Sequence, residues 1–135
     1  NSQILWESGM IEIACLALAI YFEARSEPIH GRIAVAETVL NRVESPKYPD
    51  TVCEVVKQNK QFSFYSDGLS DKPTEKRAWE RSLNIAEFMI SEREYVSVVG
   101  KEATHYHADY VDPYWASSLH RIKKVGTHIF YRSDL

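Results

Sequence analysis

Ten consecutive apolar residues, Ile13 to Phe22, run directly into Glu23. A helix that is apolar on nearly every side cannot lie on a surface, so the rest of the chain has to wrap it. The run is too short to cross a membrane, which takes about twenty apolar residues. It follows Glu7 and Glu12 rather than a basic segment, which marks a core helix, not a signal peptide. The expected first element is therefore a central helix from about Met10 to Ala24. With 135 residues the chain is read as one domain, residues 1–135. Such a chain buries about two-thirds of its unfolded surface and needs no metal or disulfide to fold. Its hydrophobic share of 44% and its many aromatic residues exclude a disordered chain.

A polar break, Arg25-Ser26-Glu27-Pro28, separates this helix from a second over roughly His30 to Val43. There Ile33, Ala36, Val39, Leu40 and Val43 recur at helical spacing, with Glu37 and Asn41 opposite. Pro46 ends it, because the residue before a proline avoids the helical region. Thr51 and Glu54 have capping-box spacing and start a short helix. Gln61 to Tyr65 is followed by the turn signal Ser66-Asp67-Gly68. A third long helix is expected from about Pro73 to Arg93, burying Trp79, Leu83, Ala86 and Ile90. Beyond Gly100 the texture changes. Ala103 to Ala108 and Gly126 to Tyr131 read as short strands, joined by an aromatic loop with a helical turn. The fold class is α+β, a mainly helical core with a small antiparallel sheet near the C-terminus.

The net charge of −3 argues against a nucleic-acid partner, which leaves a basic footprint. Arg121, Lys123, Lys124 and Arg132 form a local cluster, read as a solvated face. Cys15 and Cys53 both sit in apolar stretches. They are either a disulfide, if the chain works outside the cytosol, or two buried thiols; sequence does not decide.

Glu23 is the first candidate for chemistry. A carboxyl group flanked by Tyr21, Phe22 and Ile20 loses solvation, which raises its pKa and suits a general acid. On composition alone, a helix-end Glu paired with Arg25 or Arg32 is the commoner arrangement. Glu27 would share a face with Glu23 only if the helix continued, which Pro28 opposes. His105 and His107 lie at i and i+2 of a strand and face one way, with Tyr106 facing the other. A metal would need His128 or a distant acid as third ligand, so lining of a polar groove is the preferred reading, with no metal and no cofactor. Tyr110, Tyr114 and Trp115, with Asp109 and Asp112, have the makeup of a carbohydrate groove or of an ordinary anchored loop. No phosphate-binding or dinucleotide-binding motif occurs.

The blocks CLALAIYFEARSEPIHGRIAVAETVLNRVESPKYPDTVCEVV, QFSFYSDG, ATHYHADYVDPYWA and VGTHIFYR occur in this order over roughly residues 14 to 132. Together they resemble the cell-wall hydrolase family of spore-cortex-lytic enzymes, the SleB/CwlJ type. Ser26 stands where that pattern has glycine; if the position requires positive φ, Ser26 is strained.

The resemblance implies a lysozyme-like lytic transglycosylase fold. It implies cleavage of the β-1,4 bond from N-acetylmuramic acid to N-acetylglucosamine, with peptidoglycan glycan strands as partner and Glu23 as the catalytic acid and base. Gln61, Ser63, Thr104, His105, Tyr106 and Trp115 match motif positions and are expected in the groove, with Glu27 and His107 beside them. Two other chemistries stay open: lysozyme-type hydrolysis with a second carboxylate, and a metal-dependent amidase using His105, His107 and His128. The expected protein is a monomer without a membrane span, acting at the cell wall, in the periplasm or outside the cell, or phage-encoded and acting on a host wall.

Overall fold

A computed structural model describes residues 2–58 and 73–133. Among them the elements run α1 (Ser2–Ala24), α2 (Ile29–Glu44), α3 (Val52–Gln58), α4 (Lys76–Glu92), a 3₁₀ turn at Arg93–Tyr95, β1 (Ala103–Ala108), a 3₁₀ turn at Ala116–Ser118, β2 (His120–Val125) and β3 (His128–Arg132). The expected α+β architecture is present. Gln61 and Ser63, and the turn signal after them, lie outside the described residues.

α1 packs against α2, α3 and α4, as its apolar run requires. Leu16, Ala17, Ala19 and Ile20 are fully buried. The helix begins eight residues before Met10, running through Gly9, which lowers helix propensity by about 1 kcal/mol without forbidding it. α3 is capped as expected: the Thr51 hydroxyl accepts the Glu54 N–H at 3.2 Å. Cys15 and Cys53 form a disulfide that ties α1 to α3. α4 has no side-chain N-cap. The Tyr21 hydroxyl does that work from α1, accepting the N–H groups of Thr74 and Glu75 at 3.1 and 3.0 Å.

α2 differs from the expectation in one respect. Glu37 and Asn41, placed opposite the apolar stripe, are buried. The helix is covered on both sides, by helices on one and by the chain leading into the sheet on the other. The Glu37 carboxylate accepts the N–H groups of Val98 and Val99 at 2.9 and 2.8 Å. Asn41 donates to the carbonyls of Gly100 and Ala103, both at 2.8 Å, and accepts from Arg93 at 2.6 Å. One turn on, Arg42 donates to the Thr104 carbonyl at 2.7 Å. Polar groups of α2 thus fix the backbone from which β1 starts, and each buried polar atom named here has its partner.

The sheet is antiparallel with strand order β1-β3-β2. β2 is an element that the sequence reading took for loop. Its residues HRIKKV are mostly exposed and lack apolar alternation. It is an edge strand, and lysine-rich edges are a common guard against pairing with other chains. Lys124 pairs with Asp109 at 2.9 Å and Arg132 with Glu102 at 3.3 Å, so the basic cluster is a solvated face with local ion pairs. The β2–β3 hairpin turns at Gly126 and Thr127, with Gly126 at φ +59°, the left-handed conformation such short loops need. Among the described residues no non-glycine has positive φ, so Ser26 is unstrained.

Candidate active site

Glu23 stands in the last turn of α1, where the apolar run ends. The Tyr106 hydroxyl donates a short hydrogen bond to its Oε1. Strand alternation explains how Tyr106 arrives there. Tyr106 is paired across the sheet with Phe130, and this face of the sheet packs on the helices. Burial raises the Glu23 pKa, opposed by the Tyr106 hydrogen bond and by the charge of Arg42. Burial first, and the nearby Glu23 carboxylate next, hold the Tyr106 phenol well above its ordinary value. Tyr106 therefore keeps its proton and stays a donor, while Glu23 is poised to carry a proton at higher pH than an ordinary glutamate. Neither Arg25 nor Arg32 accounts for Glu23's placement: Arg25 pairs with Glu75 at 2.5 Å, and Arg32 donates to the Glu27 carbonyl at 3.1 Å.

A cleft of about 520 Å³ opens over Glu23, lined also by Phe22, Ala24, Arg25, Ser26, Glu75, Arg81 and Tyr110. Tyr110, from the loop after β1, is 83% exposed and offers an open aromatic face. A second cavity of about 310 Å³ lies at the C-terminal end of α2 and is lined by Thr104 among others, but not by Glu23. The cleft is the better candidate because it alone of the two holds a desolvated acid. Sequence spacing does not mark Glu75, Arg81 or the influence of Arg42, since α4 and α2 reach the site only by packing on α1. Arg25, two residues from Glu23, lines the cleft and pairs with Glu75.

Glu27 is placed differently. α1 ends at Ala24, so Glu23 and Glu27 do not share a helical face. The Glu27 side chain is 9% exposed and turned to the β2–β3 hairpin. Its Oε1 accepts the Thr127 N–H at 2.7 Å and its Oε2 accepts the Thr127 hydroxyl at 2.8 Å. A Cβ on Gly126 would collide with the same carboxylate. Glu27 therefore locks the hairpin tip to the α1–α2 corner.

His105 and His107 share the sheet face opposite Tyr106, with Trp115 against both rings at 5.3 and 5.6 Å. His107 stacks on Tyr131 and its Nε2 lies 2.7 Å from the Tyr131 hydroxyl. His105 Nδ1 lies 2.9 Å from the Thr104 hydroxyl, and burial, then Arg42, lowers its pKa. His128 is on the other face, beside Tyr106 and Phe130. The three imidazoles do not converge. Among the described residues no group of three or more His, Cys, Asp or Glu is placed to hold a metal. His128 Nδ1 is buried without a hydrogen bond, 4.0 Å from Glu27 Oε1.

The cell wall hydrolase family matches residues 26–131, beginning three residues after Glu23. Spore cortex-lytic enzymes of Halalkalibacterium halodurans and Bacillus subtilis are 33% and 32% identical over 88% of this chain. The chain spans 34% and 37% of the length of those relatives. Among solved structures, the catalytic domain of the germination-specific lytic transglycosylase SleB from Bacillus anthracis superposes with a TM-score of 0.69 at 30% identity, covering 90% of this chain and 93% of that one. The SleB catalytic domain of Bacillus cereus gives 0.62 at 33% identity, covering 90% and 89%. With this fold and these matches, the chain belongs to the cell wall hydrolase family.

Proposed function

We propose that this chain cleaves the β-1,4 bond between N-acetylmuramic acid and N-acetylglucosamine in peptidoglycan, as a lytic transglycosylase. The observation that carries the reading is Glu23, a desolvated carboxyl group held by Tyr106 at an open cleft. Similarity to a SleB domain described as a lytic transglycosylase supports it. Protonated Glu23 gives its proton to the glycosidic oxygen as the bond from C1 to that oxygen breaks. The substrate's own acetamido group stabilises the electron-poor C1. Glu23, now a carboxylate favoured by the Tyr106 hydrogen bond, accepts the proton of the C6 hydroxyl. O6 closes on C1 and leaves a 1,6-anhydro ring. An internal nucleophile needs no positioned water and no second carboxylate.

Two features favour this route over hydrolysis. Both oxygens of Glu27 are engaged by Thr127. Glu75, which also lines the cleft, is paired with Arg25. Tyr110 is the groove's sugar-stacking face in this reading. The disulfide fits a site of action outside the reducing cytosol, at the cell wall.

Mass spectrometry of muropeptides after digestion of purified sacculi tests the reading. The expected products end in 1,6-anhydro-N-acetylmuramic acid and are lighter by one water than hydrolytic ones. Reducing ends formed throughout the time course would make the enzyme a hydrolase, with Glu75 as the second carboxylate to substitute. Release of free peptides from intact glycan would make it an amidase.

A further inference from the structure

The N-terminal half of α4 carries its charge against the helix's own preference. The N-terminus of a helix is the positive end of its backbone dipole and favours Asp and Glu. Glu75 at the N-cap is engaged by Arg25, the first turn of α4 holds no acidic residue, and Lys76 and Arg77 stand there instead. Arg81 follows Arg77 by four positions, which puts two like charges on one face and destabilises the helix further. Both arginines are exposed. Neither makes an ion pair with a carboxylate among the described residues. Glu80, next to Arg81, is turned about 100° around the helix.

Arg32, on α2, joins this group. Burial first, and the charge of Arg81 next, lower its pKa, and its Nε is engaged by the Glu27 carbonyl. Arg81 is also a wall of the cleft that holds Glu23 and Tyr110. The other cleft arginine, Arg25, is already paired with Glu75. The whole chain has a net charge of −3, so a positive cleft wall is a local feature and not a general excess of basic residues. Local rules broken together beside a reactive carboxyl group mark a binding surface.

We propose that Arg81, flanked by Arg77 and Arg32, binds a carboxylate of the peptide stem carried by the muramic acid residue at Glu23. The proposal rests on the glycan-cleaving reading above. In a strand that bears stems the lactyl carboxyl of muramic acid is tied up in the amide to its stem, so the strand's carboxylates reside on the stems. A guanidinium is the side chain best shaped to take a carboxylate through two parallel hydrogen bonds. The site makes the enzyme select glycan whose stems carry free carboxylates over glycan whose stems are amidated.

The test compares uncrosslinked glycan strands bearing stems with the same strands after their stem carboxylates have been converted to amides with carbodiimide and ammonia. Wild type is expected to show a kcat/KM about tenfold higher on the strands with free stem carboxylates, the effect of one charge-assisted pair. In Arg81→Gln that ratio collapses toward one, through KM rather than kcat, and Arg81→Lys restores part of it. Arg77→Gln serves as a second variant, and circular dichroism confirms that both fold. Calorimetry with a disaccharide–peptide on the Glu23→Gln protein gives a readout independent of cleavage: adding Arg81→Gln weakens binding about tenfold. No preference in wild type, or equal losses on both strands in Arg81→Gln, overturns the proposal. A preference that disappears when phosphate polymers are removed, and not when the stem carboxylates are amidated, assigns the wall to phosphate and also overturns it. If no strand is cut, the glycan-cleaving reading fails, and the calorimetry still decides this site.

Discussion

The Tyr106 hydroxyl donates to Glu23 Oε1 across 83 positions of sequence, joining the last turn of α1 to β1. This contact couples the helices to the sheet at the reactive carboxyl group. It also sets two opposing influences on one acid, since burial favours the protonated form and the hydrogen bond favours the carboxylate.

Tyr106→Phe removes the larger of the two influences that lower the Glu23 pKa and leaves burial and the charge of Arg42 in place. The alkaline limb of the kcat/KM–pH profile reports loss of the general acid's proton. That limb should therefore move to higher pH in the variant, while the maximal rate falls because Glu23 is less well oriented. An unmoved limb would mean that the bond is without influence on the acid.

Glu23→Gln should cut glycan cleavage at least about 10²-fold, since glutamine keeps the shape but donates no acidic proton. Its effect on stability has the opposite sign. The folded pKa of Glu23 lies above its ordinary value, so its contribution to stability is fully present below the unfolded pKa and is lost as pH rises through the folded one. At neutral pH the variant should melt above wild type, and the gap should narrow on acidification. Melting curves at the two pH values, beside the activity assay, check both halves.

Glu27→Ala should destabilise the domain by roughly 2–4 kcal/mol, because it leaves the Thr127 N–H and hydroxyl without their carboxylate. A double-mutant cycle with Thr127→Val should be strongly non-additive, as expected for two partners in one contact. Additive losses would disprove the lock.

Activity should survive exhaustive chelation. His105 and His107 face away from His128, so no three-imidazole site is formed. Loss with EDTA and recovery with zinc would restore the amidase reading.

Reduction of the Cys15–Cys53 bridge, which spans 38 positions, should remove about 4 kcal/mol of chain-entropy stabilisation. Melting with and without reductant measures it, with a fall of roughly 10 °C or more expected.

The helices were legible because their apolar residues repeat at the period of the structure they form. α1 is the clearest case, and its end at Glu23 pointed to the acid. β2 was hidden because an edge strand needs no buried face, and Arg121, Lys123 and Lys124 therefore read as loop. Glu37 and Asn41 read only as lying opposite the apolar stripe, because their partners, the backbone from Val98 to Ala103, form no pattern of their own. Alternation puts Tyr106 opposite the histidines, toward the core or a sheet face. That it meets Glu23 depends on how the sheet docks on the helices, and a local pattern does not contain that. Glu27 is the same case over a longer range, since Thr127 lies 100 positions away.

In the sheet order β1-β3-β2, β1 has one neighbour, and that neighbour is residues 128–132. During synthesis the helices with Glu23 leave the ribosome first, and β1 follows without a strand to pair with. Tyr106 is seated only once β3 has emerged and slotted between the two earlier strands. The acid is thus made early and its hydrogen-bond donor is fixed late, so a nascent or C-terminally clipped chain carries Glu23 without the strand that holds Tyr106 against it.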